Sequence, residues 1–163
     1  MENKRGQHTM GMPFGMIFAI LLIVVFIVIA FIAIAGFLDI GQSASVGLFY
    51  EDLQKAVDEA WREQSGEFDF KIDLPSGIDE VCFGNLSGMI TNRDPRYDEI
   101  LNYDVYVANT FLVPPENAQG MQWKFINHIN VTKITESSNP YCVSVEKDLR
   151  IKKGFYDKLV VIS

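Results

Sequence analysis

Residues 14–38 read FGMIFAILLIVVFIVIAFIAIAGFL, and none of these 25 residues carries a charge. At a helical rise of about 1.5 Å per residue the stretch covers roughly 37 Å, whereas the hydrocarbon core of a bilayer is about 30 Å thick. With Pro13 in its first turn, where proline is tolerated, the stretch predicts a transmembrane helix over residues 13–38. The alternative is a buried helix of a soluble core, but such helices are seldom apolar on every side for this length.

A cleaved signal peptide is a second alternative, because Ala33, Ala35 and Gly36 form a small-residue pattern typical of a cleavage site. Signal peptides have an apolar core of only about 7 to 15 residues. The longer run found here favours an uncleaved anchor.

The charges on the two sides of the span differ in sign. Lys4 and Arg5 precede it, whereas the first charge after it is Asp39. Cytoplasmic flanks of membrane spans are enriched in Lys and Arg. We therefore expect a cytoplasmic tail over residues 1–12 and an extracytoplasmic location for everything after the span.

The part of the chain after the span is acidic. Of the 14 basic and 21 acidic residues, Lys4, Arg5 and Glu2 precede the span, so 12 basic and 20 acidic residues follow it. A negative balance without a basic stripe argues against contacts with a phosphate backbone. Nucleic acid is therefore not an expected partner.

A second helical pattern follows the span. Asp39 and Gly41 predict a break, with a new helix start capped by Ser43 or Ser45. Apolar residues then recur at intervals of three and four, at Val46, Phe49, Tyr50, Leu53, Ala56, Val57, Ala60 and Trp61. The pattern predicts an amphipathic stalk helix over residues 43–65 that docks on the domain after it. A helix lying on the outer leaflet is the alternative, disfavoured because its polar face is acidic.

After Gly66 the period of the pattern changes from 3.6 to 2. Four apolar residues alternate with four charged residues over 67–74, which indicates a half-buried strand. A short helix is expected from Asp94 to about Leu101, and further strands are expected at 78–83, 103–113, 123–126, 129–134, 141–146 and 158–162. The predicted fold class is α+β: a transmembrane helix that continues into an amphipathic helix, then a small antiparallel, mostly β extracytoplasmic domain over residues 66–163.

Cys82 and Cys142 both follow the span. An oxidising exterior favours a disulfide over two independent buried thiols. In each predicted strand the cysteine lies on the face opposite its apolar neighbours, so pairing the two strands would bring both sulfurs to one face of the sheet. The sequence therefore predicts the disulfide Cys82–Cys142.

Motifs that would indicate catalysis are missing from the sequence. His8 and His128 lie on opposite sides of the predicted span, and a lone strand histidine such as His128 is typical of a solvated surface residue. The cysteines lack C-x-x-C spacing, and the serines lack a G-x-S-x-G context. We expect no enzyme activity, no metal and no cofactor.

Two tripeptides match the acceptor pattern for N-glycosylation: Asn85-Leu86-Ser87 and Asn130-Val131-Thr132. Such acceptors are used on the outer side of the membrane. Both are therefore candidate sites in the predicted orientation, and both would be silent in the reverse one.

The order of tail, apolar helix, amphipathic continuation and outer β domain resembles type IV pilins. Lys4-Arg5-Gly6-Gln7 is similar to the processing signal of one archaeal pilin class, which implies a candidate cleavage site at Gly6 and Gln7. Residues 8–13 differ from that class, and we therefore expect an intact N-terminus. The G-x-x-x-G spacing of Gly11 and Gly15 makes them candidates for close helix packing in a bilayer.

More of the chain is similar to a group of uncharacterised single-pass membrane proteins of archaea, chiefly of small-genome lineages. The similarity lies in KRGQ, MPFGMIFAILLIVVF, LDIG, VGLFYEDLQ, LPSGIDEVCFGNL, NPYC and IKKGFYDKLV. It implies an archaeal envelope setting and no particular activity.

From these observations we expect a membrane-anchored envelope protein that acts as a structural subunit or accessory of a pilin-like cell-surface assembly. Its expected partners are the lipid bilayer and proteins of the membrane or envelope, including further copies of itself. The alternative is a monomeric anchored binding or adaptor module that faces the cell exterior.

Overall fold

The computed structural model describes residues 11–87 and 92–163, and it divides into two compact units, Met1–Ile40 and Gly41–Ser163. The candidate processing residues Gly6 and Gln7 lie outside the described residues. In chain order the elements are α1 (Gly11–Arg62), β1 (Gly66–Phe70), β2 (Glu80–Phe83), α2 (Tyr97–Ile100), a 3₁₀ turn (Leu101–Tyr103), β3 (Thr110–Val113), a second 3₁₀ turn (Pro115–Asn117), β4 (Trp123–Lys124), α3 (Val131–Ile134), β5 (Tyr141–Ser144), β6 (Leu149–Lys153) and β7 (Val161–Ile162).

The first unit contains the apolar part of α1. Residues 14–37 are uncharged, and all of their side chains are exposed. An 18-residue window of this helix has a mean hydropathy of 3.6, so the helix is long and apolar enough to cross a membrane. Gly11 is the first residue of α1, and a Cβ atom added at Gly15 would meet no atom within 4 Å, which leaves an open helix surface there.

Helix α1 continues through residues 39–41, where a break was predicted. A capped restart at Ser43 or Ser45 was expected, and this prediction is wrong. The Ser45 hydroxyl instead donates to the carbonyl of Gly41, four residues earlier, at 3.1 Å, which is a bond inside a continuing helix. The helix ends at Arg62, three residues before the predicted end.

The last part of α1, residues 41–62, belongs to the second unit and is called the packed segment here. Its buried side chains are those predicted from the three-and-four spacing: Val46, Phe49, Tyr50, Leu53, Ala56, Val57 and Ala60. They join the main core cluster together with residues of both sheets. Trp61 is 39% exposed and lies at the edge of this stripe. The packed segment is therefore a core element of its unit.

The strands form two sheets in which all pairs of named strands are antiparallel. The three-stranded sheet has the order β1-β6-β7, and the four-stranded sheet has the order β4-β3-β2-β5. In β1, Phe68 and Phe70 are half-buried and pack against the main core, whereas Glu67 and Asp69 are exposed. The predicted alternation is confirmed, although the strand ends at Phe70 instead of residue 74.

Both faces of the four-stranded sheet are covered. Val81 and Phe83 of β2 point into the main core, and Cys82 between them points into a second cluster with Phe111 and Ile100. Strand residues point alternately to the two faces, so burial on both faces explains why all four residues of β3 are buried.

Two further predictions about secondary structure are wrong, and one strand was not predicted. Residues 129–134 do not form a strand, because the Asn130 side chain accepts a hydrogen bond from the backbone N–H of Lys133 and caps the short helix α3. Strand β6 was not predicted, although Leu149 and Ile151 are buried between exposed neighbours. Of the predicted extended run 103–113, only β3 is a strand.

Candidate functional site

The predicted disulfide joins β2 to β5, an edge strand of the four-stranded sheet. β2 and β5 are neighbours, and their register places Cys82 directly opposite Cys142. The two sulfurs are 2.05 Å apart and close a loop of sequence separation 60. Cys82 is fully buried and Cys142 is half-buried, so the bond is part of the second core cluster. The pairing follows from the face argument made on the sequence.

Glu80 lies close to this disulfide, and among the described residues these three could be considered as metal ligands. The sulfurs of Cys82 and Cys142 are bonded to each other and supply no thiolate. The Glu80 carboxylate accepts a hydrogen bond from Nε of Arg96 at 2.6 Å. The donor set therefore does not fit a metal site.

Arg96 connects the four-stranded sheet to α2. It donates to Glu99 at 2.8 Å as well as to Glu80, and hydrogen bonds to Glu99 and then Glu80 raise the pKa of its guanidinium. These groups are partly exposed, so the contribution of the ion pairs to stability is small. Their role is to fix the position of α2 against β2.

His128 holds the loop before α3 against the packed segment. Its Nδ1 lies 2.9 Å from an Asp58 carboxylate oxygen, and its ring stacks on Trp61 with centroids 3.9 Å apart and planes 5° apart. The indole of Trp61 also donates to the Lys158 carbonyl at 3.2 Å. His128 was predicted to be a solvated strand residue, which is wrong: it lies in a turn, with a φ of 67°, and is half-buried. The His-Asp pair serves docking of the loop, and no nucleophile among the described residues contacts it.

The sequence reasoning missed the buried residue Asn109, and it missed the hydrogen bond of Tyr50, a residue that it had placed on the buried face of the helix. The Asn109 amide donates to the Ile126 carbonyl and accepts from the Ile126 N–H, both at 2.8 Å, and thereby satisfies two buried backbone groups. The Tyr50 hydroxyl donates to the Met121 carbonyl at 3.2 Å. Burial raises the pKa of Tyr50 well above its ordinary value.

An open cleft of about 520 Å³ lies between residues 104–109 and residues 125–131. Val105 and Val107 on its rim are 78% and 79% exposed, and Phe125 is 45% exposed. Both candidate acceptors for glycosylation, Asn85 and Asn130, line this cleft. A surface that combines exposed apolar side chains with amides is suited to contacts with another molecule.

A second groove, of about 820 Å³, runs between the packed segment and β4. Tyr50, Gln54 and Lys55 line it on the helix side, and Trp123 and Phe125 line it on the sheet side. β4 is an edge strand of its sheet, and edge strands are places where further chains can pair.

No protein-family model, curated protein or solved structure matches the chain significantly. The class of the protein is therefore defined by its own features. It is an α+β protein with a helix long and apolar enough to cross a membrane, followed by a disulfide-bonded unit of two small antiparallel sheets.

Proposed function

We propose that the protein is a single-pass membrane anchor whose second unit lies outside the cytoplasm and serves as a structural subunit or accessory of a pilin-like surface assembly. One observation carries this proposal. The apolar part of α1 is uncharged and exposed over residues 14–37, whereas the packed segment of the same helix is built into a folded domain.

The extracytoplasmic position is supported by two independent features. Lys4 and Arg5 precede the apolar helix, and acidic residues follow it. Cys82 and Cys142 form a disulfide, which persists in oxidising compartments and is rare in the cytosol.

The assembly role is supported by the surface of α1. The exposed apolar side chains of residues 14–37 need either lipid or the same helix of other copies. The small residues Gly15, Ala19, Ala30 and Ala33 offer places where two such helices can approach closely. The similarity of the N-terminal organisation to type IV pilins points in the same direction.

A second candidate function is a monomeric anchored binding or adaptor module. The open cleft with exposed Val105 and Val107 favours it, because an apolar surface of this kind is a usual contact for a partner. In this function the apolar helix is only an anchor, and the cleft is the working surface.

Crosslinking through the span separates the two functions. The native cysteines are bonded to each other, so Ile27→Cys introduces one free thiol at an exposed position of the apolar helix. After treatment of native membranes with a lipid-soluble oxidant, a subunit of an assembly gives a crosslinked dimer, whereas a monomeric module stays monomeric. Leu48→Cys, at an exposed position of the packed segment, is the matched control. A monomer from both variants, together with a monomeric mass in mild detergent, would contradict the assembly role.

A further inference from the structure

The two acceptor tripeptides for N-glycosylation differ in their surroundings. Asn85-Leu86-Ser87 follows the end of β2 in a turn, and both Asn85 and Ser87 are exposed. Leu86 between them is half-buried and packs against the second core cluster. The turn is thus held by its middle residue, and the two residues that an acceptor needs face solvent.

Asn85 is presented by a fixed backbone. Its N–H donates to the Asn139 side-chain oxygen at 3.2 Å, and its carbonyl accepts from the Asn139 amide at 2.8 Å. The Asn85 Oδ1 accepts from the backbone N–H of Ser87 at 3.0 Å, which forms a turn closed by the side chain. Within residues 11–87 and 92–163 no group bonds to Asn85 Nδ2, the atom that carries a glycan.

Asn130 is part of a helix cap. It is half-buried, its N–H donates to the Val160 carbonyl at 2.7 Å, and its Oδ1 accepts from the Lys133 N–H at 3.1 Å. Val131 and Thr132 of the same tripeptide lie in the first turn of α3. An acceptor tripeptide that caps and begins a helix is less accessible to a transferase than one in an exposed turn.

From this contrast we propose that Asn85 is the N-glycosylated residue of the protein and that Asn130 stays unmodified. The proposal rests on the extracytoplasmic position proposed above. Asn85 Nδ2 attacks the anomeric carbon of a lipid-linked glycosyl phosphate or pyrophosphate, the donor required by the external transferase. The new C–N bond replaces the C–O bond to phosphate, the phosphate group leaves with the electron pair, and one Nδ2 proton passes to a base of the transferase.

The surroundings of Asn85 have room for a sugar. The residue is exposed and lines the open cleft of about 520 Å³, so there is open space beside it for an attached group. A glycan attached there leaves the hydrogen bonds of the Asn85 backbone intact, since Asn139 makes them.

The test is mass spectrometry of the full chain expressed in a cell whose envelope glycosylates Asn-x-Ser/Thr tripeptides, with a known glycoprotein of that cell as positive control. The wild type and Asn130→Gln should carry the same added mass on the peptide that contains Asn85. Asn85→Gln and Ser87→Ala should both lose it. Ser87→Ala keeps the asparagine itself, so loss in this variant shows recognition of the tripeptide.

Protease accessibility of the second unit in intact cells is measured on the same samples and separates failure of this inference from failure of the proposed function. An accessible domain with unmodified Asn85, or with a glycan on Asn130 alone, overturns the assignment of Asn85 and leaves the proposed orientation standing. A domain protected in intact cells overturns both proposals, because a transferase on the outer side could not reach it.

Discussion

Replacement of Leu53 by alanine tests whether the packed segment of α1 is a core element of the second unit. The Leu53 side chain is fully buried in the main core cluster. Truncation of a buried leucine to alanine costs about 2 to 5 kcal/mol, because apolar contacts are lost and a cavity remains. A unit of roughly 120 residues has a stability of about 6 to 18 kcal/mol, so Leu53→Ala should remove a large share of it.

Leu48→Ala is the matched control, because Leu48 is 58% exposed and lies on the same helix. It should change the stability by at most about 0.5 kcal/mol. For a loss of about 3 kcal/mol, Leu53→Ala should lower the melting temperature by roughly 10 °C. The assay is thermal and denaturant unfolding of the full chain in detergent, with tryptophan fluorescence as the signal. Equal effects of the two substitutions would refute the docking of this helix on the sheets.

Three further predictions concern the disulfide and the buried polar groups. Cys82→Ala and Cys142→Ala should each lower the free energy of unfolding by about 4 kcal/mol, because each removes the bond that closes the loop between the two cysteines. In the same unfolding assay, the double variant should be no less stable than the less stable of the two single variants. Asn109→Ala should cost about 2 to 4 kcal/mol, seen as a lower denaturant midpoint with an unchanged slope, because two buried backbone groups lose their partners. Tyr50→Phe should lower the free energy of unfolding by about 1 kcal/mol at pH 8, because a hydrogen bond is lost. Burial raises the pKa of Tyr50 in the folded state, so above about pH 10 only the unfolded wild type ionises and the wild type becomes less stable. The difference in free energy of unfolding between the wild type and Tyr50→Phe should therefore narrow between about pH 10 and 11. Tyr156→Phe, at a position 94% exposed, should match the wild type at pH 8, and a difference that stays constant from pH 8 to 11 for Tyr50→Phe would contradict the reasoning.

The parts of the fold that could be predicted from the sequence have long or repeated signals. The apolar run over residues 14–37 and the three-and-four spacing in the packed segment extend over several helical turns, so single exceptions do not hide them. The disulfide could be predicted because only two cysteines exist and the alternation around Cys82 and Cys142 fixes their faces.

The remaining features depend on contacts between distant residues or on very short elements. Strands were predicted at 123–126 and 158–162, but β4 and β7 are only two residues long, and so short a strand has no periodic pattern that could fix its ends. His128 owes its position to Asp58, 70 residues earlier, and no local pattern indicates that contact. In α3, β-branched residues favour a strand, and the cap formed by Asn130 outweighs that preference.

Labelling of single thiols in intact cells tests the membrane orientation, which is the central claim. Tyr156→Cys places a thiol on a highly exposed residue of the second unit, and Thr9→Cys places one in the tail before the span. A membrane-impermeant maleimide should label the Tyr156→Cys protein in intact cells and the Thr9→Cys protein only after the membrane is opened. Labelling of the Thr9→Cys protein in intact cells, with the Tyr156→Cys protein protected until the membrane is opened, would contradict the account.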